Sequence, residues 1–320
     1  MDSGIKWKLT DSELSAITEH TFGQTASAVK ELTDGWANSA YDVTLEDGRS
    51  FIVKAAPLSN TKMMTYELDL MNTEVEVLRL VKQDGVVPVP LVYAHDASES
   101  LVNCEYFIME KLEGDPYVKV KDSMSEEQRA RIEFQLGVYN RRINEIRGER
   151  FGIYAASAEA GPSWKDTFHR MLLSVLSDGE SAGVQLPAEY ETIRHEISLR
   201  LDPLDEVTEP RLVHWDLWDG NVFVKDGTIT GIIDFERTLW GDPLLEMYFS
   251  HFNNSKPFLE GYGIEQLTPA QRSRRALYDL YLDLILYIEC PYRLYTDNNH
   301  IQWARENAEK GWVRFLASQG

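Results

Sequence analysis

His214-Trp215-Asp216-Leu217-Trp218-Asp219-Gly220-Asn221 runs directly into VFVKDGTITGIIDFE, which carries Asp234 near its end. The segments NVFVKD and TITGIIDF alternate as short strands do, and Asp226-Gly227 between them reads as a hairpin turn. Folding that hairpin brings Asn221, at the start of one strand, beside Asp234, which the pattern places at the end of the other. Asp216 stands five residues before Asn221, across a tight loop containing Gly220. A carboxylate set to take a hydroxyl proton, with an amide and a carboxylate oxygen at one edge, suits phosphoryl transfer. Asp216 is then the candidate base. Asn221 and Asp234 are the candidate ligands of Mg²⁺, which takes few protein oxygens and fills its shell with phosphate and water.

Upstream, Thr10-Asp11-Ser12-Glu13 reads as a capping box opening a helix to about Phe22. The stretches AVKEL, SAYDVTL and SFIVKAA alternate as strands, with Asp47-Gly48 turning the last two. Leu68, Met71, Val75, Leu78 and Val81 predict a helix over 64–83 that stops at Asp84-Gly85. VPVPLVYAHD and CEYFIMEKL read as two further strands. After Gly114 the pattern becomes helical: from Ser125 to about Arg147, and near 163–178, 186–201, 243–253, 268–289 and 299–317. Asp242-Pro243 reads as a helix start, with Glu246 in a first turn where an acid is favoured. The expected fold is therefore α+β and two-lobed. A β-rich lobe over 1–113, with a hinge near 110–113, precedes a larger helical lobe over 114–320.

The chain has 320 residues, 43% hydrophobic and 26% charged, and a net charge of −20, which disfavours nucleic-acid binding. No apolar run matches a membrane span, and no secretory h-region follows Met1. Cys104 and Cys290 make no disulfide framework, so a reducing cytoplasm is expected.

HWDLWDGN…IIDFE resembles the catalytic loop of the aminoglycoside phosphotransferase and choline kinase-like family, whose pattern is H-x-D-x-x-x-x-N followed by a strand ending in Asp. The similarity spans roughly residues 25–250 and implies a protein kinase-like fold. It implies that Lys54, in SFIVKAA, reaches the α- and β-phosphates of ATP or GTP, paired with Glu74, for which Glu76 is the rival. It casts Asp34-Gly35-Trp36-Ala37-Asn38-Ser39 as the loop over the phosphates, with Gly35, Asn38 and Ser39 as its contacts. Met109 is placed behind the adenine, with the Glu110 carbonyl and the Leu112 N–H beside it. The sequence departs from the family at Trp215, where Gly is frequent, and at Trp218-Asp219, where His-Pro is common. Glu236 stands where protein kinases have Gly. No A-P-E-type segment follows Asp234, which argues against a protein kinase.

The implied function is transfer of the γ-phosphoryl group to a hydroxyl of a small molecule. The alternative is a nucleotide-binding module without catalysis. His214 reads as a loop-shaping residue. Acceptor-side candidates are Trp215, Trp218, Asp219, Glu236, Trp240, Asp283, Tyr287, Glu289 and Tyr292. Acids near aromatics, in a chain of this charge, favour a cationic acceptor such as an aminoglycoside.

Overall fold

The computed structural model describes residues 3–33, 35, 37–156 and 160–318. Helix α1 (Asp11–Phe22) begins at the Thr10 capping box and ends at Gly23. Strands β1 (Ala26–Leu32), β2 (Ser39–Leu45) and β3 (Ser50–Ala55) follow, then helix α2 (Leu70–Asp84), β4 (Val92–Asp96) and β5 (Tyr106–Glu110). These strands form one antiparallel sheet in the order β1-β2-β3-β5-β4. The Asp47-Gly48 turn joins β2 to β3 as the sequence predicts, with Leu45 N–H donating to the Arg49 carbonyl. One face of the sheet buries Val43, Val53 and Ile108 toward α1, and the other buries Ile52, Phe107 and Met109 against Val75 and Leu78 of α2.

Helix α2 starts six residues later than the periodicity suggests. Residues 64–69 instead belong to a loop that crosses to the helical lobe. There the Thr65 N–H and hydroxyl donate to the Asp178 carboxylate at 2.8 and 2.7 Å.

The helical lobe opens with β6 (Asp115–Pro116), α3 (Tyr117–Val120) and the long α4 (Glu126–Glu145), capped by Ser125. Then come β7 (Gly152–Ile153), α5 (Trp164–Ser181), α6 (Tyr190–Ser198), β8 (Arg211–Val213), β9 (Val222–Lys225), β10 (Thr228–Ile232) and β11 (Leu239–Gly241). Helices α7 (Lys256–Tyr262), α8 (Pro269–Tyr292) and α9 (Asn298–Ala317) complete it. The hairpin of β9 and β10 carries β6 on its β9 edge, and β11 lies between β7 and β8. Trp164, Phe168, Tyr278 and Tyr281 form the centre of this lobe's core.

One expectation fails here, and one helix comes without a forecast. The 243–253 segment forms no α-helix, only the 3₁₀ turns Pro243–Leu245 and Met247–Phe249. Between them Glu246 is extended, at φ −53° and ψ 140°, because its side chain is drawn to the catalytic loop. Helix α7 has no sequence forecast. It packs on α4 through glycines: a Cβ on Gly137 would meet the Phe258 carbonyl at 2.2 Å, and one on Gly261 the Phe134 carbonyl at 2.0 Å. Cys104 and Cys290 are both buried and free. No helix among the described residues is long and apolar enough to cross a membrane.

Candidate active site

Strand β3 is central in its sheet, so Lys54 is fixed between Ala40 on β2 and Phe107 on β5. Its Nζ donates to both Glu74 oxygens, at 2.7 and 2.9 Å, and also contacts Asp234 Oδ1. Glu74 is fully buried on the inner face of α2, while the rival Glu76 is exposed. Burial disfavours the Lys54 charge, but Asp234, Glu74 and Glu236 outweigh it and hold the ammonium above its usual pKa. Burial pushes the Glu74 carboxyl upward, against the pull of Lys54.

The β9–β10 hairpin closes as its sequence suggests, with Val222 opposite Ile232 and the Ile233 N–H donating to the Asn221 carbonyl at 3.1 Å. Strand β10 ends at Ile232, however, and Asp234 lies two residues beyond it. At φ 63° it is in the left-handed region, which turns its carboxylate toward Lys54. The Asn221 amide donates to the Asp216 carbonyl at 2.9 Å and to Asp216 Oδ2 at 3.1 Å. With Nδ2 committed to Asp216, the amide oxygen is the group left to act as a ligand. An amide oxygen and a half-exposed carboxylate are the donor set Mg²⁺ would take alongside phosphates.

His214 is fully buried and shapes the loop from below. The Asp216 N–H donates to its Nδ1 at 3.2 Å, so Nε2 carries the proton donated to the Ile233 carbonyl at 2.8 Å. That neutral tautomer agrees with a pKa lowered by burial. Trp215 has φ 66°, a left-handed conformation that glycine adopts without strain. Its indole stacks on Tyr281, with ring centroids 5.4 Å apart.

Glu246 has a different task from the one its sequence position suggests. It is fully buried and accepts from the N–H groups of Trp215 and Leu217, each at 3.0 Å, and of Met247 at 2.8 Å. The two loop amides it holds flank Asp216. Burial raises the Asp216 carboxyl to about 7; Arg237 opposes the rise, while Asp234, Glu236 and Glu246 add to it. Arg237, two residues past the start of a 3₁₀ turn at Phe235–Arg237, has no sequence signal of its own.

The remaining expected residues fall as follows. Asn38 donates to Glu236 at 2.7 Å, tying the β1–β2 connection to the catalytic hairpin. Gly35 is half-buried and Ser39 begins β2; Asp34 and Trp36 lie outside the described residues. Met109 is buried in β5, and the Glu110 N–H is bonded to the Leu91 carbonyl at 2.8 Å. Leu112 lies against Gly231, where a Cβ would meet its Cδ1 at 2.3 Å.

The acids favouring a cationic acceptor are committed within the protein. Asp219 accepts from Lys121 and Tyr248, each at 2.6 Å. Asp283 is fully buried among His251, Asn307 and Arg314. Glu289 meets Arg237 at 3.2 Å, and Glu236 holds Asn38. Asp242, capping Leu244, is held by Arg274 and Tyr278. Tyr292 donates to the Asp178 carbonyl, and Trp240 stacks on Tyr154.

This geometry agrees with a family model for phosphotransferase enzymes, which matches residues 28–278. The chain belongs to the phosphotransferase enzyme family. It is a small-molecule kinase with a kinase-like architecture of an antiparallel-sheet lobe and a helical lobe. Among solved structures it is similar to a proposed fructosamine-3-kinase from Thermobifida fusca YX-ER1, at 18% identity and TM-score 0.71, covering 97% of this chain and 100% of that one. It also resembles APH(2″)-IIa in a ternary complex with streptomycin and ATP, at 16% identity and TM-score 0.63, covering 97% of each chain. A third likeness is to a thermostable mutant of the aminoglycoside phosphotransferase APH(4)-Ia with ADP and hygromycin B, at 17% identity and TM-score 0.64, covering 96% and 99%. At these identities the structures establish a shared fold. No curated protein matches the sequence.

Proposed function

We propose that this phosphotransferase moves the γ-phosphoryl group of ATP to a hydroxyl of a small molecule. The observation that carries the reading is two polar groups set on one loop and hairpin. Glu74, Lys54 and Asp234 join one lobe to the other, and Asp216 and Asn221 share a bond beside the same hairpin. Lys54 would hold the α- and β-phosphates, and Asn221 and Asp234 would hold Mg²⁺, which when bound offsets phosphate charge. The Gly35–Ser39 segment would cover the phosphates, and adenine would lie beside Met109, Glu110 and Leu112. The lobe boundary near residue 113 follows from that placement. Cys104 and Cys290, both free thiols, support a cytoplasmic setting.

In the reaction the acceptor oxygen forms a bond to the γ-phosphorus while the bond to the β,γ-bridging oxygen breaks and ADP leaves. The hydroxyl proton passes to Asp216 Oδ and then to solvent. Glu246 keeps that carboxylate in line by fixing the amides on either side of it. Most of the rate gain is positional and electrostatic.

Asp219, Asp283 and Glu289 are each paired within the protein, so a cationic acceptor would have to be met by other groups. A panel of amines, polyols and hydroxy acids, read by ADP release, tests the reading. Acceptor-dependent ADP formation is expected. Tight nucleotide binding without turnover on any acceptor would favour the non-catalytic alternative.

A further inference from the structure

Beside Asp216 lies a buried cluster of charges for which phosphoryl transfer alone gives no reason. Arg237 sits with its guanidinium carbon 5.7 Å from the Tyr66 ring centre and 6.0 Å from that of Trp215, the residue before Asp216. Its side chain is 15% exposed, and Nη2 makes one contact, at 3.2 Å, with Glu289. Arg293, 2% exposed, pairs through Nη2 with Glu67. Among the described residues, Arg237 Nε and Arg293 Nε and Nη1 are buried without a protein acceptor. Glu67 is already occupied further, since it accepts from the Met64 N–H at 3.0 Å. Donors therefore exceed protein acceptors in this buried cluster. An unmet buried donor is costly, more so on a charged group, so the cluster is matched to a ligand that brings oxygen acceptors. Guanidinium groups select planar or tetrahedral oxyanions, which they bind in pairs of parallel hydrogen bonds.

The pocket's position favours the acceptor as the source. Tyr66 and Glu67 come from the loop before α2, which Thr65 fastens to Asp178 of α5, so the loop roofs the helical lobe. The phosphate-directed lysine, Lys54, is held separately by Glu74 and Asp234. We infer that Arg237, supported by Arg293, forms an oxyanion subsite, and that the acceptor carries a carboxylate or phosphate group as well as its reacting hydroxyl. The inference rests on the kinase reading above and narrows its substrate class.

The test is thermal melting with acetate and with sulfate as probes, against chloride at equal ionic strength, with and without saturating Mg²⁺ and a non-hydrolysable ATP analogue. In the native chain both oxyanions should raise the melting temperature beyond chloride, with the nucleotide site filled. Arg237→Gln should weaken the apparent anion affinity by about tenfold or more, equivalent to ~1.4 kcal/mol, and leave analogue affinity unchanged. Arg237→Lys should fall between. Glu289→Gln, which frees Arg237, should strengthen the anion effect and serves if Arg237→Gln does not fold. No anion effect beyond chloride, or one indifferent to these changes, overturns the subsite. Weakened analogue binding in Arg237→Gln assigns the guanidinium to the transferred phosphoryl group and overturns the acceptor assignment. Absence of any analogue stabilisation in the native chain defeats the kinase reading and the inference with it.

Discussion

Glu246→Gln perturbs the catalytic loop without touching a reacting group. In the native protein Oε2 accepts from the Trp215 N–H, and Oε1 accepts from those of Leu217 and Met247. Glutamine keeps one oxygen and presents an amino group in place of the other. In either orientation at least one backbone donor then faces another donor. One lost hydrogen bond to a charged group is worth about 1.5–3 kcal/mol, which sets the expected loss in denaturation free energy. Because the lost amide adjoins Asp216, the carboxylate should shift. A displacement of ~1 Å in a catalytic group costs about 10²-fold in rate, so kcat should fall by about 10–100-fold. ADP-release kinetics at a temperature where circular dichroism shows the variant folded give the rate, and calorimetry gives nucleotide affinity, expected to be unchanged. A folded variant with kcat within about twofold of native would refute the clamp argument.

Other substitutions separate the remaining roles. Asp216→Asn should lower kcat by ~10²–10⁴-fold with little change in nucleotide affinity, as steady-state kinetics and calorimetry would show. With its carboxyl raised to about 7, the native enzyme should lose kcat/KM for the acceptor as pH falls through that value, because the protonated group accepts no proton. Asp234→Ala should raise the Mg²⁺ concentration needed for nucleotide binding and abolish turnover, checked by calorimetric titration. Lys54→Met removes the partner of Glu74, whose pKa burial already raises. A raised folded-state pKa means stability is lost as pH rises, so this variant's melting deficit should grow from pH 6 to pH 8.

The parts of the site legible in the sequence are those built from neighbouring residues. Asp216, Asn221 and Asp234 lie on one loop and hairpin, and the Asp226-Gly227 turn alone brings the last two close. The sequence pattern places Lys54 on a strand and both Glu74 and Glu76 on a helix, and the pairing of Lys54 comes from the family resemblance; folding buries Glu74 and leaves Glu76 exposed. Contacts between distant segments left no pattern. Glu67 and Arg293 are 226 residues apart and Arg237 and Glu289 are 52 apart, so no periodicity marks them. For the acids after the catalytic loop, sequence shows charges without their partners. Folding supplies Lys121, Arg237 and Arg314 to three of them. The 243–253 segment had helical spacing, but three backbone N–H groups competing for Glu246 hold it extended. Helix α7 is not legible in the sequence because seven residues containing Pro257 and Gly261 carry too little periodic signal, and its stability comes from close packing on α4.

Phosphorus NMR on ATP, Mg²⁺ and an accepted hydroxyl compound tests the central claim most directly. The account predicts that the γ-phosphorus resonance disappears into a phosphomonoester signal on the acceptor, in step with ADP, and that Asp216→Asn suppresses this conversion while still binding ATP. Conversion to inorganic phosphate alone, or a phosphomonoester formed at an undiminished rate by Asp216→Asn, would contradict it.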